Sequence, residues 1–476
     1  MDVPVRYKKF GNQEYAYKIW NEKNLKTGKW IQHSKYLGVV IDKENAIYEK
    51  VSESKQETKR TRLIERCILD YGDCYFVSEF LKNDTILPVL KSVFGKYSDT
   101  LLSLVLYKLH GGSAMRHAEV WYEGNAANII FPNADMNTQS ISDFLLVIGS
   151  EKLQQSFFIA YLKSICENKL SLIIDSTGLP NQVHMPITDW GYHNGGIEKE
   201  TRLILAVEKE TKMPLYYRYV AGNIGDVSTL VTTISELKKF GVIPSLSIVD
   251  AGYYSESNIN ALYGGDVSFI TRVPSGRVIY KSLIHDYTAN IQNKANAVVY
   301  GKRGLFIHKQ PIDLFGHPAY AYIVCDPARR GNEISKKILS LESENDDFKV
   351  DNCGMMILVA NIEIETNEVI PLYYTRQMAE QLFGISKDDL KILPIRTHSE
   401  ARFRGLMMLS FISLVIYLKL KASLEPRVTV EQLLSLMRNL KCKVFSDKSF
   451  IVSEVTKNQR LSFEAAKILV PINSGI

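Results

Sequence analysis

Several patterns that would assign a simple function are missing from this sequence. Its six cysteines are scattered, without a C-x-x-C pair or a Cys/His cluster, so neither a zinc site nor a disulfide framework is expected. No internal repeat or low-complexity tract occurs, and no nucleophile elbow or Rossmann glycine pattern falls between a predicted strand and a helix. Serine-hydrolase chemistry and dinucleotide binding are therefore not indicated.

Long apolar runs are also missing. The most apolar run, Gly405 to Leu418, stops at Lys419 and is too short to span a bilayer, which predicts a buried core helix. The start of the chain, Met1 to Arg6, does not have the form of a signal peptide. We expect a soluble, reduced, cytoplasmic protein that has no membrane partner.

Positive charge is concentrated at the N-terminus. The formal net charge of the chain is +6, and residues 1–66 alone carry 15 Lys or Arg against nine Asp or Glu, which is also +6. The rest of the chain is therefore neutral overall. This asymmetry favours an anionic partner for the N-terminal region, with nucleic acid the first expectation, although a solvated basic surface has the same composition.

Residues 1–66 have the alternation of β-strands. Tyr15, Tyr17 and Ile19 share one face, and lysines follow the strands and turns. The pattern predicts a basic β-ribbon arm, followed by a charged linker from about residue 51.

Residues 67–168 predict a helical region. Three helices are expected there. The first is capped by Ser98-Asp99 and ended by Gly111-Gly112, the second lies around Phe144 and stops near Gly149, and the third runs from Glu151 to about Cys166. Short helices with basic flanks suit DNA binding, although a plain helical bundle fits the same pattern.

Residues 169–274 change to an α/β pattern. Apolar runs predict five strands, at Leu170–Asp175, Thr201–Val207, Met213–Val220, Leu246–Asp250 and Val267–Thr271. A helix from about Asp226 to Lys239 is expected between the third and the fourth strand. Three strands, a helix and a further strand is the order of a ribonuclease-H-like mixed sheet. Asp175 and Asp250 then end the first and fourth strands, and they lie together if these two strands are neighbours.

The remaining chain predicts three further regions. Residues 275–368 are a β-rich insertion, with strands expected at Ala297–Tyr300, Leu305–Lys309, Ala319–Val324 and Met355–Ile362. Residues 369–425 complete the α/β core, and residues 426–476 form a small C-terminal helical region with a helix near Val430–Leu440.

The most specific pattern is Tyr373, Arg376, Glu380 and Lys387, which reads Y-x2-R-x3-E-x6-K. On one helix these spacings place all four side chains on one stripe. A carboxylate between two cations and an aromatic ring suits a metal ligand that lies beside a phosphate backbone.

Together with Asp175 and Asp250, this pattern resembles the bacterial insertion-sequence transposases of the DDE class, in the branch that has the Y-R-E-K signature. Asp175 matches the first aspartate of that family, Asp250 the second, and Glu380 the glutamate. The likeness runs from about residue 15 to the C-terminus. It implies a ribonuclease-H-like core and a β-rich insertion that helps to grip the DNA end.

The resemblance also implies two Mg²⁺ ions, for which Mn²⁺ substitutes. Two such ions, about 3.5–4 Å apart, activate a water and stabilise the leaving oxygen in phosphodiester cleavage. Mg²⁺ takes oxygen ligands and keeps several waters, so three carboxylates suffice. By the resemblance, Asp175 bridges both ions, Asp250 holds one and Glu380 the other. A single Asp after an apolar strand is more often a cap or turn residue, and only the combination favours metal binding.

Seven residues are candidates for DNA contact or for support of the site. The candidates for DNA contact are Tyr373, Arg376, Lys387, Thr177 and Arg402, and the candidates for a supporting role are Asn223 and Asp226. Arg and Lys suit phosphate, but Arg376 also fits an intrahelical pair with Glu380. Core packing is the alternative for Tyr373, a turn role for Thr177, and a helix N-cap for Asp226.

We predict a cut-and-paste DNA transposase. It binds the terminal inverted repeats of its own element, acts as a homodimer in the synaptic complex with contacts from residues 426–476, and joins the new 3′-hydroxyl to target DNA. In the resembled branch the second strand is often cut through a hairpin. The alternatives are a catalytically inactive or domesticated DNA-binding protein and a ribonuclease-H-fold nuclease without strand transfer. The presence of all three carboxylates argues against the inactive protein.

Overall fold

The chain divides into two compact units. One comprises Met1–Cys67, Lys443–Phe450 and Gly475–Ile476, and the other comprises Ile68–Cys442 and Ile451–Ser474. The structure, a computed structural model, describes residues 3–10, 13–23, 30–49, 65–112, 114–165, 169–193, 196–340, 350–424 and 428–471. Most of the predicted charged linker, residues 51–64, lies outside the described residues.

The first unit contains an antiparallel sheet in the order β1-β2-β3-β4, formed by Val5–Phe10, Gln13–Lys23, Trp30–Asp42 and Ile47–Glu49. The alternation along β2 places Tyr15 and Tyr17 against Tyr36 of β3, with ring centroids 6.2 and 5.3 Å apart. Four strands lie in the region predicted as a β-ribbon arm, and part of its turn, residues 24–29, lies outside the described residues.

Helices dominate the described residues from 65 to 165. After strand β5 (Glu65–Asp70) the elements are α1 (Gly72–Lys82), α2 (Ile86–Phe94), α3 (Ser98–Leu109), α4 (Ala118–Glu123), α5 (Ala127–Ile130), α6 (Thr138–Ile148) and α7 (Glu151–Ile165). The helical prediction is confirmed, but the cap predicted for α3 is wrong. Asp99 instead accepts a hydrogen bond from the Asn133 side chain, and α3 begins without a side-chain cap.

A large mixed sheet forms the centre of the second unit. Its strands are β6 (Leu170–Pro180), β7 (Asp189–His193), β8 (Gly196–Glu208), β9 (Pro214–Ala221), β10 (Pro244–Val249) and β11 (Ser268–Arg272), with helices α8 (Leu230–Lys239) and α9 (Glu256–Gly264). Strand β6 pairs with β8 in antiparallel and with β10 in parallel orientation, and β10 continues in parallel to β11. The first and fourth predicted strands, now β6 and β10, are therefore neighbours, as the meeting of Asp175 and Asp250 requires.

The strands of the predicted insertion extend the same sheet. They are β12 (Ala297–Tyr300), β13 (Arg303–Leu314), β14 (His317–Cys325) and β15 (Met355–Ala360), together with helices α10 (Val278–Tyr287) and α11 (Pro327–Leu339). The sheet order is β12-β13-β14-β15-β11-β10-β6-β8-β7, and β9 also pairs with β8. Because β15 pairs with β11 in antiparallel orientation, this region is continuous with the core sheet.

The chain ends with α12 (Val369–Tyr374), α13 (Gln377–Gly384), α14 (Glu400–Ser423), α15 (Val430–Arg438), β16 (Lys441–Phe445), β17 (Phe450–Val452) and α16 (Lys457–Ala465). Among the described residues, α14 is the one helix long and apolar enough to cross a membrane, yet 89% of its most apolar window is buried in the protein. It is longer than the run from which it was predicted, and the expected core helix is confirmed.

Helix α14 packs closely on α6. An added Cβ at Gly405 would lie 2.0 Å from the carbonyl oxygen of Leu145, and one at Gly149 would lie 2.2 Å from the carbonyl oxygen of Ala401. The two glycines therefore allow the helix backbones to touch. Farther along α14, Phe411 contacts Phe158, with ring centroids 5.5 Å apart. The helix thus fixes the helical region against the rest of the core.

Candidate catalytic site

Two aspartates meet at the place where β6 and β10 stop pairing. Ile174 of β6 lies opposite Val249 of β10, and the next residue on each strand is Asp175 and Asp250. Strand β10 ends there, but β6 continues to Pro180 because its other edge remains paired with β8. The prediction that the first strand ends at Asp175 is therefore wrong, whereas the expected neighbourhood of the two carboxylates is found.

The segment with the Y-R-E-K pattern is not one regular helix, as its spacing had predicted. Helix α12 stops at Tyr374, α13 starts at Gln377, and a π-helical turn follows from Ile385 to Asp389. The Thr375 hydroxyl donates to the Leu372 carbonyl at 2.6 Å, and such back-bonding by a threonine bends helices. The four signature side chains nevertheless point to the strand ends.

The Arg376 guanidinium lies among the three acidic side chains. Its Nη1 is 2.9 Å from Oδ2 of Asp175, its Nη2 is 3.0 Å from Oε1 of Glu380, and its Nε is 3.9 Å from Oδ1 of Asp250. One cation therefore contacts carboxylates from β6, from the end of β10 and from α13. The ion pair with Glu380 was one of the two alternatives for Arg376, the other being phosphate contact, and neither had included the two aspartates.

Exposure of the three carboxylates increases across the cluster. The side chains of Asp175, Asp250 and Glu380 are 10, 36 and 55% exposed. Burial raises the pKa of Asp175 to about 7, since desolvation and the two neighbouring acids outweigh the attraction of Arg376. The cluster therefore has a buried end at Asp175 and opens to solvent at Glu380.

Tyr373 contacts Asp250 at the end of β10, and Lys387 contacts the part of β6 that follows Asp175. The Tyr373 hydroxyl donates to Oδ1 of Asp250 at 2.9 Å, and its ring is buried. Burial, followed by the charge of Asp250, raises the pKa of this phenol. Lys387 Nζ donates to Oγ1 of Thr177 at 2.8 Å and to the Gly178 carbonyl at 2.9 Å. Both side chains thus contact protein groups within the site.

A second layer lies behind the aspartates. Oδ1 of Asp226 accepts hydrogen bonds from the Ser176 hydroxyl at 2.5 Å and from Nη1 of Arg202 at 3.0 Å. Its Oδ2 lies close to Gly252, since a Cβ added to that glycine would be 2.8 Å away. Asp226 therefore touches the residue after Asp175 and the loop after Asp250. It starts a short 3₁₀ turn rather than capping a helix through its side chain.

Arg202 is the residue of this layer that the sequence analysis missed. It bonds Asp226 and also Oε1 of the fully buried Glu200, at 3.2 Å. An arginine inside the apolar strand Thr201–Val207 was a signal that a buried acid was present.

Two other candidates lie away from the three carboxylates. Asn223 is exposed, and its amide donates to Oδ2 of Asp189 at 2.7 Å. Arg402 donates through Nε to the Ser142 hydroxyl at 2.7 Å and lines a separate cavity between α3, α6 and α14.

The donor set suits a hard divalent cation. Three carboxylates supply the oxygen ligands that Mg²⁺ and Mn²⁺ prefer, and they already converge on one positive group. In the arrangement described, no three His, Cys, Asp or Glu side chains among the described residues are close enough together to hold one ion. At this site the Arg376 guanidinium lies between the three carboxylates. The residues fit the metal by their chemistry, and binding requires Arg376 to give up part of its contacts.

The fold and the cluster define a mixed α/β protein with a three-carboxylate site at the edge of its central pair of parallel strands. The profile of the transposase DDE domain family matches residues 168–416, and the chain belongs to this family. The matched region contains all three acidic residues and the Y-R-E-K pattern, so the resemblance inferred from them is confirmed.

One solved structure to which the chain is similar is a piggyBac transposase synaptic complex with hairpin DNA. The two chains are 11% identical, the TM-score is 0.42, and the alignment covers 76% of this chain and 75% of the other. No curated protein sequence matches the chain.

Proposed function

We propose that the protein is a DNA transposase that moves an insertion sequence by a cut-and-paste route. The observation that carries this proposal is the convergence of Asp175, Asp250 and Glu380 on Arg376 within the region that matches the family. The three residues are separated by 75 and 130 positions, so only the fold brings them together.

A ribonuclease-H-like architecture is part of the proposal. Strands β9, β8, β6, β10 and β11 are neighbours in that order, with the first three antiparallel and the last two parallel to β6. This order supports the predicted core, and the strands from β12 to β15 correspond to the β-rich insertion.

Each protein group has a proposed part in the cleavage of a DNA strand. Two divalent ions, Mg²⁺ or Mn²⁺, held by Asp175, Asp250 and Glu380, would activate water and stabilise the leaving oxygen. Tyr373 orients the Asp250 carboxylate through its hydrogen bond. Arg376 neutralises the acids and, once released from them, contacts phosphate in a bidentate manner, as its planar group favours. Lys387 and Thr177 lie together beside Asp175 and complete the surface for the DNA backbone.

The partners follow from the same assignment. We propose that double-stranded DNA, as terminal inverted repeats and as target, binds the basic arm and the helical region, with Arg402 among the contacts. A homodimer would hold two ends in the synaptic complex, with contacts from residues 426–476, and the site of action would be the nucleoid in the bacterial cytoplasm.

A cleavage assay with labelled element ends, Mg²⁺ and a target plasmid tests this function. Joined products are the expected result. Cuts without joining would identify a nuclease, and a mobility shift without cuts would identify a DNA-binding protein that lacks catalysis. Asp175→Ala, Asp250→Ala and Glu380→Ala should each abolish cleavage while DNA binding persists. Normal cleavage by any of the three variants would exclude that residue as a metal ligand.

A further inference from the structure

A cavity of about 420 Å³ lies between α3, α6, the segment 391–398 and the start of α14. Pockets of this size hold small organic ligands. None of the three acidic residues of the catalytic site lines it. The cavity is therefore a separate feature of the second unit, and its chemistry differs from that of the carboxylate cluster.

Nine polar side chains line the cavity, and six of them are basic: Lys108, Arg116, Lys391, Arg396, His398 and Arg402. The other three, Thr138, Ser142 and Thr397, carry hydroxyl groups. Among the residues that the structure describes, no Asp or Glu lines the cavity, and these six side chains form no ion pair with a carboxylate. Arg404, two positions after Arg402 on the same helix, does pair with Glu151, at 3.1 Å. The lack of acidic partners is thus a property of the cavity and not of α14.

The cations are held in place by neutral groups. Lys108, 1% exposed, donates through Nζ to the Lys391 carbonyl at 2.9 Å, and Arg402 is fixed by the Ser142 hydroxyl at 2.7 Å. Neutral acceptors leave the positive charge uncompensated. Like charges around one concave space repel each other and raise the local concentration of anions.

The floor of the cavity is apolar. It is formed by the buried side chains of Ile141, Leu145, Ile392 and Leu406. Thr397 lies at the same cavity, and its buried hydroxyl has no hydrogen-bond partner among the described residues. An apolar floor with a basic rim fits a ligand that has an anionic group on one side and a flat, mostly apolar body on the other.

We propose that this cavity binds a nucleotide, with its phosphate at Arg396 and Arg402 and its base and sugar on the apolar floor. The nucleotide would be either a free molecule or one residue of a bound DNA strand, and the second source rests on the proposed function. Lys391 follows Lys387 by four residues, so their Cα atoms lie within about 14 Å of each other. This upper limit corresponds to the length of roughly four nucleotide steps along one DNA strand. A strand that contacts Lys387 at the catalytic site therefore reaches the cavity within a few nucleotides.

Isothermal titration calorimetry on the full chain, without divalent ions, tests the proposal. The probes are deoxyadenosine monophosphate and a short DNA duplex, and the variant is Arg396→Gln combined with Arg402→Gln. The loss of each hydrogen bond to a charged group should weaken binding about tenfold or more, so the double variant should bind at least about 100-fold more weakly. Arg404→Gln removes a charge from the same helix outside the cavity and should bind as the wild type does. Because Arg396 is exposed, its single variant tests the site even if the double variant folds poorly.

The two probes separate the two sources. Binding of the mononucleotide that is lost in the double variant identifies a free nucleotide, whereas loss of duplex binding alone identifies a DNA strand. Wild-type affinity of the double variant for both probes would overturn the proposal, and so would an equal loss in Arg404→Gln. The cleavage assay is independent of this result, because Asp175→Ala should bind both probes normally.

Discussion

The carboxylate cluster and the basic cavity lie in the same unit and have opposite charge balance. In the cluster, three acidic side chains surround the single guanidinium of Arg376. In the cavity, six basic side chains face one another without a carboxylate among the described residues. The cluster has an internal counter-ion, and the cavity has none.

This difference indicates what each region needs from outside. Buried charges that are not paired are costly, so a protein usually supplies partners from its own chain. Arg376 supplies one for Asp175, and a divalent cation would take over that role. The cavity keeps its cations partly exposed or bonded to carbonyl and hydroxyl groups, and an anion would complete it. Four predictions test this contrast through the groups on which it depends.

The largest effect is expected for Arg376→Met. Removal of this guanidinium leaves Asp175, the most buried of the three acids, without its partner, and breaking one side of a buried pair costs about 3–5 kcal/mol. The free energy of unfolding, measured in urea at pH 8 without divalent ions, should fall by this amount, and Mg²⁺ should restore part of the loss. Arg329→Met removes a half-exposed arginine that pairs with Glu333, and should cost less than about 1 kcal/mol. An equal loss in both variants would contradict the central role of Arg376.

Lys108→Met should raise the free energy of unfolding, whereas Arg376→Met lowers it. Burial lowers the pKa of Lys108 to about 8, so the folded state holds its proton less tightly than the unfolded chain does. Near pH 7 the lysine is charged in both states, and its burial costs about 3 kcal/mol. Methionine should remove that cost and raise the free energy of unfolding at pH 7.

The pH dependence provides the control for this variant. The cost of Lys108 is fully present below pH 8 and disappears as the pH rises from 8 towards the unfolded pKa of about 10.5. The advantage of Lys108→Met should therefore shrink to about 1 kcal/mol at pH 10. An advantage that does not depend on pH would show that the effect comes from packing.

Gly405→Ala changes the contact between α14 and Leu145 of α6, beside the basic cavity, without changing a charge. Its Cβ would lie 2.0 Å from the Leu145 carbonyl oxygen, so α6 and α14 must move apart. Overpacking of this kind costs about 1–3 kcal/mol, which thermal or urea unfolding measures. Gly331→Ala, in α11 with open space around its Cβ, should instead stabilise by about 1 kcal/mol. Wild-type stability of Gly405→Ala would mean that the helices do not touch there.

The three acidic residues of the carboxylate cluster could be predicted because their surroundings follow simple periodicities. Asp175 and Asp250 each follow an apolar run that is a strand, and Tyr373, Arg376, Glu380 and Lys387 have helical spacing. Local pattern is enough to predict the elements that carry such residues, although it ended the first strand at Asp175 and the strand continues to Pro180. The break between α12 and α13 was missed, because helical spacing does not register a local bond such as that of the Thr375 hydroxyl to the Leu372 carbonyl.

Features that depend on distant pairing could not be predicted. Arg202 and Ser176 both reach Asp226 because β6, β8 and β9 are neighbours in the sheet, and the basic cavity gathers residues from 108 to 406. The continuity of the insertion strands with the core sheet depends on the pairing of β15 with β11, which no local pattern encodes. The strand and helix types were nevertheless correct where apolar runs were long, as in α14.

The smallest effect is expected for Asp226→Asn. The amide keeps the size of the side chain but loses the negative charge that accepts hydrogen bonds from Ser176 and Arg202. The part of β6 around Asp175 is therefore held less firmly. Loss of such supporting contacts lowers metal affinity or activity by 10–100-fold, and we expect about tenfold in the cleavage rate. The requirement for Mg²⁺ should rise in parallel, because Asp226 acts through the metal ligands. Asp266→Asn makes the same chemical change at an exposed position with positive φ, which asparagine tolerates, and should cleave at the wild-type rate. A lower rate with an unchanged Mg²⁺ requirement would mean that Asp226 supports the fold and not the carboxylate cluster.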